Sequence, residues 1–137
     1  MATLVILKGL PCSGKTEYAL KWVAAKQKRI RISWTELLAS MGKGPARLMK
    51  PLAIDAACRL MVQALRQGCD VILDELNLYP PEFAPFTGRA SMERAKIEWK
   101  AINPPLEEIK KRNAQSEHPV REMELDRLAE KYKLWLK

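Results

Sequence analysis

The sequence is poor in the residues that build metal clusters and disulfide frameworks. It has one histidine, His118, and three cysteines, Cys12, Cys58 and Cys69, with no CxxC spacing. An odd cysteine count without paired spacing argues against both a disulfide scaffold and a Cys/His zinc site. It reads instead as reduced thiols in a cytoplasmic protein. No apolar run approaches the ~20 residues that a membrane helix needs, so no membrane partner is expected. Met1-Ala2-Thr3 leads straight into a β-rich run and not into a basic leader with a cleavage site, which reads as no signal peptide. Long blocks of one charge sign, repeats and low-complexity segments are also missing, so no basic tail is expected.

What is present suits one domain over 1–137. The chain has 137 residues and is 47% apolar, enough for one buried core. It carries 24 basic against 16 acidic residues, a net charge of +8. Such a balance favours polyanionic partners, nucleotides first and nucleic acid second, although a basic surface can also be only a solvated one.

Apolar and β-rich runs predict strands over Thr3–Lys8, Ile30–Ile32, Asp70–Leu73 and Lys96–Ile102. Helical periodicity predicts helices from Lys15 to about Gln27, from Ser33 to about Met41, from about Pro51 to Gln67, from Pro104 and Pro105 to about Asn113 and from Val120 to Leu136. Ser33 and Glu36 match a capping box, and Gly68 is a helix stop. Leu52, Ala56, Leu60, Ala64 and Leu65 are expected on one buried face. Pro80, Pro81, Pro85 and Gly88 make the following stretch irregular, with about two helical turns toward Arg94. Strands alternating with helices predict an α/β fold with a parallel sheet of four or five strands, flanked by helices in three layers and topped by a helical lid.

Gly9-Leu10-Pro11-Cys12-Ser13-Gly14-Lys15-Thr16 fits G-x-x-x-x-G-K-S/T, the P-loop. It lies between a strand and a helix, where the motif works. The backbone amides then form an anion nest backed by the helix N-terminus. Lys15 should reach the β- and γ-phosphates of a nucleoside triphosphate such as ATP, and the Thr16 hydroxyl should ligate Mg²⁺. The predicted strand 70–73 runs into Asp74-Glu75. An acidic residue at a strand's carboxyl end is placed to hold the metal, which selects Asp74, while Glu75 faces the acceptor. Asn77 holds a turn or touches substrate. Arg112, before a polar loop, is either a lid arginine over the γ-phosphate or a solvated helix end, and Arg121 is a second candidate. Glu36 is either a general base or only the cap. Lys43, Arg47, Lys50 and Arg59 are acceptor-phosphate contacts or solvated helix residues, and Trp34 and Trp99 are core or base-stacking residues. His118 is expected to be exposed.

These residues resemble the kinase domain of bacteriophage-type 5′-polynucleotide kinases, within the P-loop kinase superfamily. The resemblance runs through Gly9 to Thr16, Val71 to Leu78 with Glu75 at the family's acidic position and Asn77 at its Asn, Lys96 to Pro105, and Glu108 to Asn113. It implies a P-loop NTPase fold and transfer of the ATP γ-phosphate, with Mg²⁺, to the 5′-hydroxyl of a nucleic acid. It also implies that Arg112 contacts the donor phosphates. Thr35, Leu38 and Ser116 stand where the family has an activating aspartate, an arginine and a second lid arginine. Either Glu36 or Glu75 takes the base role, or the acceptor is a small molecule, or the chain binds ATP without transfer.

Overall fold

Leu4, Val5, Ile6 and Leu7 are all buried, because the strand that carries them has a helical layer on each face. The computed structural model describes all residues, Met1–Lys137. The chain runs β1 (Thr3–Lys8), α1 (Lys15–Ala25), β2 (Arg29–Ile32), α2 (Trp34–Ser40), α3 (Ala46–Arg66), β3 (Asp70–Leu73), α4 (Pro80–Met92), β4 (Lys96–Ala101), α5 (Leu106–Ala114) and α6 (Glu122–Lys131). The four strands form one parallel sheet in the order β2-β3-β1-β4.

Strand alternation sorts the core into two layers. Leu4, Ile6, Val71 and Leu73 face α3 and α4, meeting Ala57, Met61, Leu65 and Phe86. Val5, Leu7 and Ile72 face α1, meeting Ala19 with Tyr18, Trp22 and Val23 at its margin. A third cluster joins Leu10 of the loop after β1 to Ile109, Leu125 and Leu136. The helical lid is therefore built on its own apolar seam, directly against that loop.

The expected α/β architecture is observed, and several element boundaries differ. The first helix stops at Ala25, and α3 starts at Ala46, a turn and a half before Pro51. Residues 80–92 form a full helix. Pro80 and Pro81 sit in its first turn, where a missing N–H costs nothing, so only Pro85 lies in its interior. The buried face of α3 carries Ala53, Ala57, Cys58, Met61 and Val62 with Ala64 and Leu65, while Leu52 and Leu60 are half exposed. Of the expected face, Ala64 and Leu65 are therefore buried, and Leu52, Ala56 and Leu60 are not. The last helix spans only Glu122–Lys131, yet Leu125, Leu128, Tyr132 and Trp135 pack as expected. Trp34 is buried in the main core. Trp99 lies on the β4 edge against Phe83 and Trp135. No helix is long and apolar enough to cross a membrane.

Candidate active site

The loop from Gly9 to Thr16 leaves β1 at the carboxyl edge of the sheet and enters α1. Its conformation demands its glycines. A Cβ at position 9 would stand 2.7 Å from both the Ile102 carbonyl oxygen and the Ser13 hydroxyl. Gly14 has φ 102°, and a Cβ there would meet the Arg112 guanidinium at 2.9 Å. The first amides of α1 have no intrahelical acceptor, so they stay free for an anion.

Lys15 lies across this loop. Its ammonium donates to the Leu10 carbonyl (2.8 Å) and the Ser13 hydroxyl (3.3 Å). Burial drives its pKa down to about 8, with Asp74, Cys12 and Glu75 opposing the drop. A buried cation with so few acceptors is poised for an anionic ligand. Arg112 lies against Gly14, with its guanidinium also 3.2 Å from Glu108. Cys12, Ser13, Gly14, Lys15, Thr16 and Arg112, with Glu17 and Gln115, line a cleft of about 440 Å³. Arg121 and His118 are exposed and outside its lining.

Asp74, at the end of β3, is buried and accepts from the Thr16 hydroxyl at 2.9 Å. The same carboxylate oxygen takes Arg31 Nε (2.8 Å) and its second amino nitrogen (2.7 Å). Arg31 also donates to Glu36 at 2.6 Å. Burial works against the Arg31 charge, but its bonds to Glu36 and Asp74 outweigh it and raise the pKa. Glu36 itself is exposed. Its backbone N–H donates to the Ser33 hydroxyl, which is half of the expected capping box, while its carboxylate goes to Arg31.

Glu75 faces the other way. Its oxygens accept from the Ser33 hydroxyl (2.9 Å), the Thr35 N–H (3.0 Å) and the Thr35 hydroxyl, so it caps α2. Burial raises its pKa in spite of these donors. Asn77, with φ 52°, donates to the Leu7, Leu73 and Glu75 carbonyls. It ties the ends of β1 and β3 together, so of its two expected roles the turn is the one observed.

Three features were not anticipated. Arg31 was missed because a strand arginine reads as a solvated residue. The buried Asn113 side chain clamps Val120 through Nδ2 to its carbonyl (2.6 Å) and Oδ1 from its N–H (2.8 Å), closing the loop 115–120. A second groove, of about 630 Å³, runs between α3 and α4, walled by Pro51, Ile54, Tyr79 and Pro81 with Arg47 and Lys50 at its rim. Lys50 is paired with Glu82, and Arg59 with Asp55.

The residues suit Mg²⁺ in one respect. A hydroxyl and a carboxylate meet at the mouth of the phosphate loop, and Mg²⁺ needs few protein ligands because it keeps waters and phosphate oxygens. No group of three or more His, Cys, Asp or Glu side chains offers an all-protein metal cage.

The family model described as AAA domain matches residues 4–134. No curated protein matches the sequence. The chain is similar to a chain in the structure of the Pnkp1/Rnl/Hen1 RNA repair complex, with 18% identity and a TM-score of 0.82 over 97% of this chain and 44% of that one. It thus spans less than half of that chain's length, as it does in a second structure of the complex, at 40%. It is also similar to the Mycobacterium tuberculosis APS kinase CysC in complex with AMPPNP and APS (15% identity, TM-score 0.62, 82% of this chain and 68% of that one). Chaetomium thermophilum Kti12 in complex with ADP-AlF3 gives 21% identity and a TM-score of 0.58 over 92% and 78%. These likenesses establish the P-loop fold.

Proposed function

This chain belongs to the AAA domain family, and on that premise we propose that residues 1–137 form an ATP-dependent kinase domain whose acceptor is the 5′-hydroxyl of a polynucleotide. The observation that carries the reading is the pair of cations, Lys15 and Arg112, that line one cleft over a glycine-built anion loop. A cleft of this kind neutralises the charge of a transferring phosphoryl group, which is most of what phosphoryl transfer requires of a protein.

Each residue then has a role. The loop from Gly9 to Thr16 holds the β- and γ-phosphates, with Lys15 on their oxygens. Arg112 covers the γ-phosphate. Thr16 and Asp74 would hold Mg²⁺, which would supply neutralisation of phosphate charge. Either Glu36 or Glu75 takes the acceptor proton. The α3–α4 groove is where we place the body of the acceptor, its apolar walls against a base and Arg47 free for a phosphate. The polynucleotide reading is supported by the net charge of +8 and by the likeness to a chain of an RNA repair complex. The free thiols of Cys12, Cys58 and Cys69 suit a cytoplasmic setting.

A small-molecule acceptor is the second reading, favoured by the likeness to an APS kinase. A γ-labelled ATP assay over DNA, RNA, nucleoside and metabolite hydroxyls decides between them. Label on 5′-hydroxyl oligonucleotides supports the proposal, and label only on small molecules replaces it. Tight ATP binding with transfer to no acceptor leaves a nucleotide-binding module and refutes the kinase.

A further inference from the structure

We propose that Arg31 is a positioning residue that sets Glu36, and not Glu75, as the group that takes the acceptor proton; this rests on the kinase reading above. The first support is a comparison of the two carboxylates. Glu75 is buried and its two oxygens already accept three hydrogen bonds from Ser33 and Thr35. A proton taken there would break bonds that cap α2. Glu36 has a 62% exposed side chain and one oxygen committed, to Arg31 at 2.6 Å, so its other oxygen is open to an incoming hydroxyl.

The second support is where Arg31 sits. In the parallel register Arg31 pairs with Ile72, so it shares a face with Asp74, two residues further on and just past the end of β3. Its guanidinium therefore reaches Asp74, which holds Thr16, while its remaining amino group reaches Glu36. One planar fork sets the distance between the acceptor side and the phosphate loop. A point charge could satisfy one of these carboxylates but not bridge both in a fixed geometry.

The acceptor hydroxyl oxygen forms its bond to the γ-phosphorus while the bond from that phosphorus to the β,γ-bridging oxygen breaks. ADP leaves with the electron pair on that oxygen. The hydroxyl proton passes to the open oxygen of Glu36 and then to water. Arg31 keeps its charge throughout and touches no reacting atom.

The decisive variant is Arg31→Lys. It leaves a cation for the buried Asp74, so the fold and the phosphate loop survive, but it releases Glu36. The expected result is a fall in kcat of about 10–100-fold, less than the ~10²–10⁴-fold that a general base supplies, because Glu36 keeps its carboxylate and loses only its placement. The KM for ATP, the ATP Kd and the melting temperature should stay near those of the unmodified protein. Glu36→Gln should lower kcat at least as far, and combining it with Arg31→Lys should add less than threefold. Independent, multiplying losses would overturn the assignment. So would a Glu36→Gln variant with full transfer, although that result would leave the kinase reading intact. An unmodified protein that binds ATP and transfers to no hydroxyl would overturn both.

Discussion

The Thr16 hydroxyl donates to the Asp74 carboxylate across 2.9 Å, joining the first turn of α1 to the end of β3. If these two groups hold Mg²⁺, Thr16→Val removes a ligand and leaves the volume nearly unchanged. The Mg²⁺ concentration for half-maximal transfer should rise on the order of tenfold or more. A Mg²⁺ titration of label transfer measures it, and an unchanged midpoint would remove Thr16 from the metal site.

The second prediction follows from Lys15, whose pKa burial lowers to about 8 in the free protein. Bound phosphates favour the ammonium and raise that value. Binding ATP therefore takes up a proton at pH values above about 8, and affinity falls as pH rises further. One coupled proton limits the fall to about tenfold per pH unit. Titration calorimetry at pH 8.5 in buffers of differing ionisation enthalpy should show net proton uptake. Zero uptake would mean that Lys15 does not meet the phosphates.

Much of this site was legible because its chemistry is contiguous. The eight residues from Gly9 to Thr16 carry spacing, glycines and lysine in one string between a strand and a helix. Asp74 was readable from its place at a strand end. The buried helix faces were harder. On α3, Leu52 and Leu60 have helical spacing but face solvent, because the small residues Ala53 and Ala57 let that helix approach the sheet closely. Arg31 could not be read at all without the register of β2 on β3, which no local pattern encodes. The residues 80–92 misled through their prolines, two of which occupy a first turn that tolerates them.

Asn113 gives a prediction about the lid. Its buried amide makes both hydrogen bonds to Val120. Asn113→Ala leaves the Val120 N–H and carbonyl to find other partners and should cost about 1–3 kcal/mol. Denaturant unfolding measures the loss, and faster hydrogen exchange at the Val120 amide localises it. Unchanged stability would show that the loop 115–120 is held by other contacts.

Tyr79 tests where the acceptor lies. It is 56% exposed on the wall of the α3–α4 groove and shares no part of the phosphate cleft. Tyr79→Ala should raise the KM for a 5′-hydroxyl oligonucleotide by about 5–100-fold, the worth of one stacked base, and leave the KM for ATP unchanged. Equal acceptor KM values would move the acceptor elsewhere.

The most direct test of the phosphate loop is ATP binding by the unmodified protein and by Lys15→Ala. Charged hydrogen bonds are worth about 1.5–3 kcal/mol, so calorimetry with Mg²⁺ and ATP should show affinity weakened by at least tenfold in the variant. Equal affinity in the two proteins, or no binding by either, would contradict the assignment of Gly9 to Thr16 as a triphosphate site.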